Sequence, residues 1–207
     1  MSYLKERFKR NSVQIVRHRN SFIPQLEAKH ESPIIYVSKH LKSYLITNYE
    51  INKVTVVDPY MTVADLQRLT ILFGGDAKNR LEIITKFKKP NVEEEEVVNE
   101  SAGLDKTDKP DKETKQDRIQ EIVRNKERLV SNGLFSQIDI FHSRVTMHDR
   151  YFIFWKDIEI HSIFSIGGSL GQDFGCFIQI QEIADTYHKD SVAHYYQMLK
   201  EKLEGEY

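Results

Sequence analysis

Met147-His148-Asp149-Arg150 precedes the apolar run Tyr-Phe-Ile-Phe-Trp, and Ser169 follows the next apolar run within Ile166-Gly167-Gly168-Ser169-Leu170-Gly171. These residue types suit an anionic, oxygen-rich ligand. An imidazole can act as a nucleophile or carry a proton. A guanidinium stays charged and can grip two oxygens at once, and a hydroxyl can donate to a third. Glycines at 167, 168 and 171 let backbone approach a ligand closely and leave N–H groups free for an anion.

For these groups to meet, their two segments must leave neighbouring strands on one side of a sheet, where α/β folds collect their ligands. The sequence supplies such strands. Val54 to Tyr60 (VTVVDPY) reads as a buried strand, β-branched and closed by a proline, and Arg80 to Phe87 reads as another. Between them, Thr62 and Asp65 have capping-box spacing. Val63, Leu66, Leu69 and Leu72–Phe73 share one helix face, and Gly74–Gly75 stops the helix. This β-α-β unit implies parallel strands. A short strand is expected from Pro33 to Val37. A helix from about Lys115 carries Ile119, Ile122, Val123 and Val130 and ends at Gly133. Four short strands follow, in SQIDIFHS, RYFIFW, IHSIFSIG and CFIQIQEI. A last amphipathic helix, about Asp190 to Leu203, presents Val192, Tyr196, Leu199 and Leu203. The expected class is α/β, a mixed sheet with helices on both faces.

Composition bounds the rest. The 207 residues are 40% hydrophobic and 29% charged, with a formal net charge of −1, a globular balance that does not demand a uniformly basic surface. Positive charge is local: Lys5, Arg7, Lys9, Arg10, Arg17 and Arg19 stand against Glu6 in the first twenty residues. Residues 1–32 are read as a basic arm and 33–207 as the main domain. Residues 88–114 carry nine acidic residues, five lysines and no aromatics, too little apolar surface to offset ordering entropy, and are read as a flexible charged insertion. The single cysteine, Cys176, excludes an internal disulfide and reads as a small buried hydrophobe. No apolar run reaches membrane-spanning length, and a cytoplasmic location is the expectation.

The order of Asp58-Pro59-Tyr60, His148-Asp149-Arg150 and Gly167-Gly168-Ser169-Leu170-Gly171-Gln172-Asp173-Phe174-Gly175 resembles bacterial single-motif members of the phospholipase D-like superfamily, over roughly Val54 to Tyr207. That resemblance implies a phospholipase D-like half-unit and a metal-independent phosphodiesterase, foremost a nuclease, that works through a phosphohistidine. His148 would be nucleophile or acid. Arg150 would grip phosphate oxygens and Ser169 would donate to one of them. Asp58, Gly168, Gln172 and Asp173 would contact substrate. No cofactor and no metal are called for. One motif copy supplies one histidine where the mechanism uses two, so the resemblance implies a homodimer with His148 beside its mate across a dyad.

The chain departs from the family pattern in carrying Trp155 where the family has aspartate, Arg150 for lysine and Gly171 for asparagine. These departures favour a second reading, a catalytically silent module that binds nucleic acid, an acidic membrane surface or a protein partner, including as part of a larger bacterial defence assembly. Arg150 pairing with Asp58 or Asp149 is the bland alternative to a substrate role. His142, His161 and His188 have no assigned part.

Overall fold

The computed structural model describes residues 21, 23–28, 30–59, 61–75, 79–86, 115–143, 145–168 and 179–206. Seven strands form one mixed sheet: β1 Lys53–Val57, β2 Arg80–Thr85, β3 Gln137–Ser143, β4 Tyr151–Lys156, β5 Glu159–Ile166, β6 Ile180–Glu182 and β7 Leu203–Glu206. Their order is β6-β5-β4-β1-β2-β3-β7. The pairs β1–β2 and β2–β3 are parallel, and the other pairs are antiparallel. The helices are α1 Pro24–Glu27, α2 Pro33–Thr47, α3 Val63–Phe73, α4 Lys115–Ser131 and α5 Thr186–Glu201. None of the helices among the described residues is long and apolar enough to cross a membrane.

Alternation along the strands creates two cores. Val54 and Val56, Leu81 and Ile83, and Phe152 and Phe154 face α2, α3 and α4 through Leu41, Leu69, Leu72 and Ile122. Val57, Ile84, Ile153 and Trp155 face α5 through Val192, Tyr196 and Leu199. Helices thus cover both faces of an α/β sheet, as the sequence indicates. β1 and β2 are buried on both sides, which explains their near-continuous apolar runs. Aromatic edges tighten the first core: Phe73 meets Phe152 at 5.0 Å and 88°.

Three expectations change. Residues 33–37 open helix α2 instead of forming a strand. Pro33 occupies the first helical turn, where its missing N–H costs nothing, and Val37 and Leu41 recur at helical spacing, both fully buried. The last helix starts earlier, at Thr186, because Asp185 caps it by accepting the His188 N–H at 3.1 Å. Leu203 belongs to β7, paired with Ser143, and not to that helix. The first strand stops at Val57 and the second at Thr85. Gly133 ends α4 at φ +69, a left-handed position suited to glycine. Of the arm read over 1–32, residues 1–20 lie outside the described residues and α1 falls within the remainder; the insertion over 88–114 also lies outside them.

The start of α3 is pinned by Asp65, which is 2% exposed. Its Oδ2 accepts from both the Thr62 backbone N–H and the Thr62 hydroxyl, at 2.7 Å each. Its Oδ1 accepts from Arg68 at 2.7 Å. Asp65→Ala removes all three bonds and is expected to cost about 2 kcal/mol in urea unfolding. A loss under ~0.5 kcal/mol would show that packing alone sets this helix.

Candidate active site

The antiparallel pairing of β1 with β4 builds the site. Val57 stands opposite Tyr151 and Lys53 opposite Trp155, so Asp58, just past β1, meets Arg150, just before β4. On the other flank of β4, Ile166 donates its N–H to the Arg150 carbonyl at 3.0 Å. Gly167 and Gly168 therefore leave the sheet at the same edge. Gly167 also donates to the Gln179 carbonyl at 2.8 Å, which extends the pairing of β5 with the β6 side past Ile166. This edge is the carboxyl end of β1, β2 and β3, the usual place for a ligand in such sheets.

Arg150 Nε lies 3.5 Å from Asp58 Oδ1, with the two side chains 16% and 3% exposed. A carboxylate this deep must be matched by a cation, and removing either partner would strand the other. Asp58 thus stands as a counter-ion to the Arg150 guanidinium. His148 and Asp149 are exposed on the loop before β4, and Gly168 is buried at the end of β5. The structure brings Asp58, His148, Arg150 and Gly168 to one edge. Ser169, Gln172 and Asp173 lie outside the described residues, as do Tyr60, Gly171 and Cys176.

Two tyrosines flank this edge that sequence reasoning missed. Tyr151 opens β4 and Tyr195 comes from α5, with ring centroids 6.3 Å apart at 69°. Burial, then the charge of Asp149, raises the Tyr151 hydroxyl above its ordinary value. Burial, followed by Asp149 and Tyr151, pushes Tyr195 up to about 12. Both phenols remain neutral donors at physiological pH. Their shared response to Asp149 ties the His148 loop to α5.

The other end of β4 holds a buried polar network. Trp155, 5% exposed, donates its indole N–H to Thr55 Oγ1 at 2.8 Å. Thr55 donates on to Glu82 Oε1 at 2.9 Å. Tyr196 donates to the same oxygen at 2.8 Å, and Lys200 to Oε2 at 3.0 Å. Burial alone would raise the Glu82 carboxyl. The charge of Lys53 and the bonds from Tyr196 and Lys200 outweigh it, so Glu82 is held below the ordinary carboxylate value. Trp155 is four strand residues beyond Tyr151, roughly 13 Å at the usual rise, so position 155 has a structural task away from His148. Asp157 sits in the β4–β5 turn at φ 54, its carboxylate accepting from Asn52 at 2.8 Å. A lone acid between Leu81 and Ile83, with Tyr196 and Lys200 one helical turn apart, was the sequence signal for this network.

Among the described residues, no group of three or more His, Cys, Asp or Glu side chains is arranged to hold a metal ion. No protein-family model matches the chain, and a search of curated proteins finds no match.

The depressed value of Glu82 has a definite sign. Its stabilising contribution is fully present above the ordinary value of 4.5 and is lost as pH falls through the lower folded-state value. Glu82→Gln should therefore flatten the fall in unfolding free energy as pH drops below the ordinary carboxylate value of 4.5. A variant with the wild-type slope would assign acid lability to other carboxylates.

Proposed function

We propose that this chain is a phospholipase D-like, metal-independent phosphodiesterase that cleaves nucleic acid as a homodimer. The observation that carries the reading is the Asp58–Arg150 pair at the edge from which the His148 loop and the Gly167–Gly168 turn also emerge. The motifs that resemble the superfamily agree with it in order.

In this scheme the His148 imidazole attacks phosphorus. A P–N bond forms as the P–O bond to the leaving group breaks, and the leaving oxygen takes a proton from the partner's His148. That imidazole then accepts a proton from water, which attacks phosphorus and breaks the P–N bond. Arg150, aimed by Asp58, neutralises the equatorial oxygens as charge builds. Ser169 is assigned the remaining donor role. The half-buried rings of Tyr151 and Tyr195 favour nucleic acid over phospholipid, because aromatic faces stack on bases of any sequence. The basic arm would add salt-sensitive contacts to phosphates.

The departures from the resembled pattern at Trp155 and Gly171 favour a second reading. On that reading the same edge binds phosphate without turning it over.

One assay separates the two. Purified protein is incubated with single- and double-stranded DNA, RNA and anionic vesicles in EDTA, and its mass in solution is measured. The proposal expects a dimer that cleaves nucleic acid, with His148→Ala losing at least about 10³-fold. Binding that depends on Arg150 without cleavage would establish the silent module. A strict monomer, or activity untouched by His148→Ala, would overturn the mechanism.

A further inference from the structure

At the amino ends of β1 and β2, opposite the His148 edge, Lys53 and Arg80 meet Lys200 of α5 around a pocket of about 510 Å³, also lined by Asn52, Trp155 and Tyr196. Six strand residues, roughly 20 Å, separate the two edges. The three cations come from three different elements, so none faces the pocket merely as its neighbour's sequence companion.

Their internal partners do not use them up. Glu82 lies beneath the pocket, and its oxygens already accept from Thr55, Tyr196 and Lys200. Arg80 approaches Asp139 only at 3.9 Å and its side chain is 52% exposed, while both Asp139 oxygens accept from Gln137. Lys53 rests 4.0 Å over the Trp155 ring, and among the described residues it has no hydrogen-bond acceptor. Glu82, Asp139 and Asp157 match the three cations in number, but of these carboxylates only Asp157 shares the lining with them, and it accepts from Asn52 at the hairpin. Burial, which lowers the Lys53 ammonium from its ordinary value, is the main cost of keeping it charged there, and the nearby Lys200 and Arg80 add to it while Glu82 and Asp139 oppose it. An anionic oxygen at this ammonium would supply an acceptor and offset that cost.

We propose that this pocket is a second ligand site, which takes a small phosphate-bearing molecule through Lys53, Arg80 and Lys200. Its volume matches small-molecule sites rather than a single bare ion. Doubly charged phosphate oxygens suit three converging cations better than a monocarboxylate does. The inference does not depend on the activity proposed for the His148 edge.

Trp155 is the only tryptophan in the chain, and the Lys53 ammonium lies on its face, so the pocket has a built-in reporter. The test titrates the full chain with inorganic pyrophosphate at constant ionic strength, reading tryptophan fluorescence and, separately, calorimetric heat. Saturable binding is expected in both. Arg80→Gln, at an exposed position that should not disturb folding, and Lys53→Met should each raise the Kd read from Trp155 fluorescence at least about tenfold. No saturable heat would overturn the proposal. So would a Kd indifferent to Arg80→Gln and Lys53→Met, or a signal that sodium chloride reproduces.

Discussion

The register between β1 and β4 is the constraint on which the rest depends. Both strands are buried on both faces, so a slip of one residue would turn Thr55 and Trp155 toward the helices α2 to α4 and bring valines and phenylalanines under α5. In the observed register, Val57 meets Tyr151 and Lys53 meets Trp155. One end of this pair therefore brings Asp58 to Arg150. The other end brings Lys53 onto the Trp155 ring. A single alignment of two strands fixes the chemistry at both edges of the sheet.

The two edges solve the same problem differently. At the His148 edge, a nearly buried carboxylate pairs with a guanidinium whose side chain is 16% exposed. At the opposite edge, Glu82 is enclosed by a threonine, a tyrosine and a lysine, and stays ionised despite burial. Satisfied networks of this kind specify one arrangement of a core, since every alternative leaves a buried polar group unmade. Trp155 closes that network through Thr55. The departure from the superfamily pattern at position 155 thus has a local physical reason, independent of any change at His148.

Much of the sheet was legible from residue patterns. The buried strands, the Thr62–Asp65 cap and the Gly133 stop all follow from local rules, and the observed β1-α3-β2 unit agrees. Residues 33–37 misled because the four apolar and β-branched residues after Pro33 fit both periods. Only the continuation through Leu41 and Leu45 decides for a helix. β7 was invisible because Leu203-Glu204-Gly205-Glu206 has no strand pattern of its own and pairs only because β3 offers an open edge. At the site, the proximity of His148, Arg150 and Gly168 could be read from two strands in sequence. For Arg150 the sequence left Asp58 and Asp149 as alternative partners, and the antiparallel register of elements ninety residues apart brings Asp58 to it. The place of Tyr195 was hidden because tertiary packing of α5 creates it, and of the Glu82 network the sequence showed only a lone acid in an apolar strand and two polar residues one helical turn apart.

The central claim is that the edge formed by Asp58, His148 and Arg150 is built for a phosphoryl oxyanion. Diffraction from crystals soaked in tungstate, with the heavy atom located by its anomalous signal, tests this most directly. A tungstate within hydrogen-bond distance of the Arg150 guanidinium and the His148 imidazole is the predicted result. Saturating tungstate that leaves this edge empty, with Arg150 still turned wholly to Asp58, would contradict it.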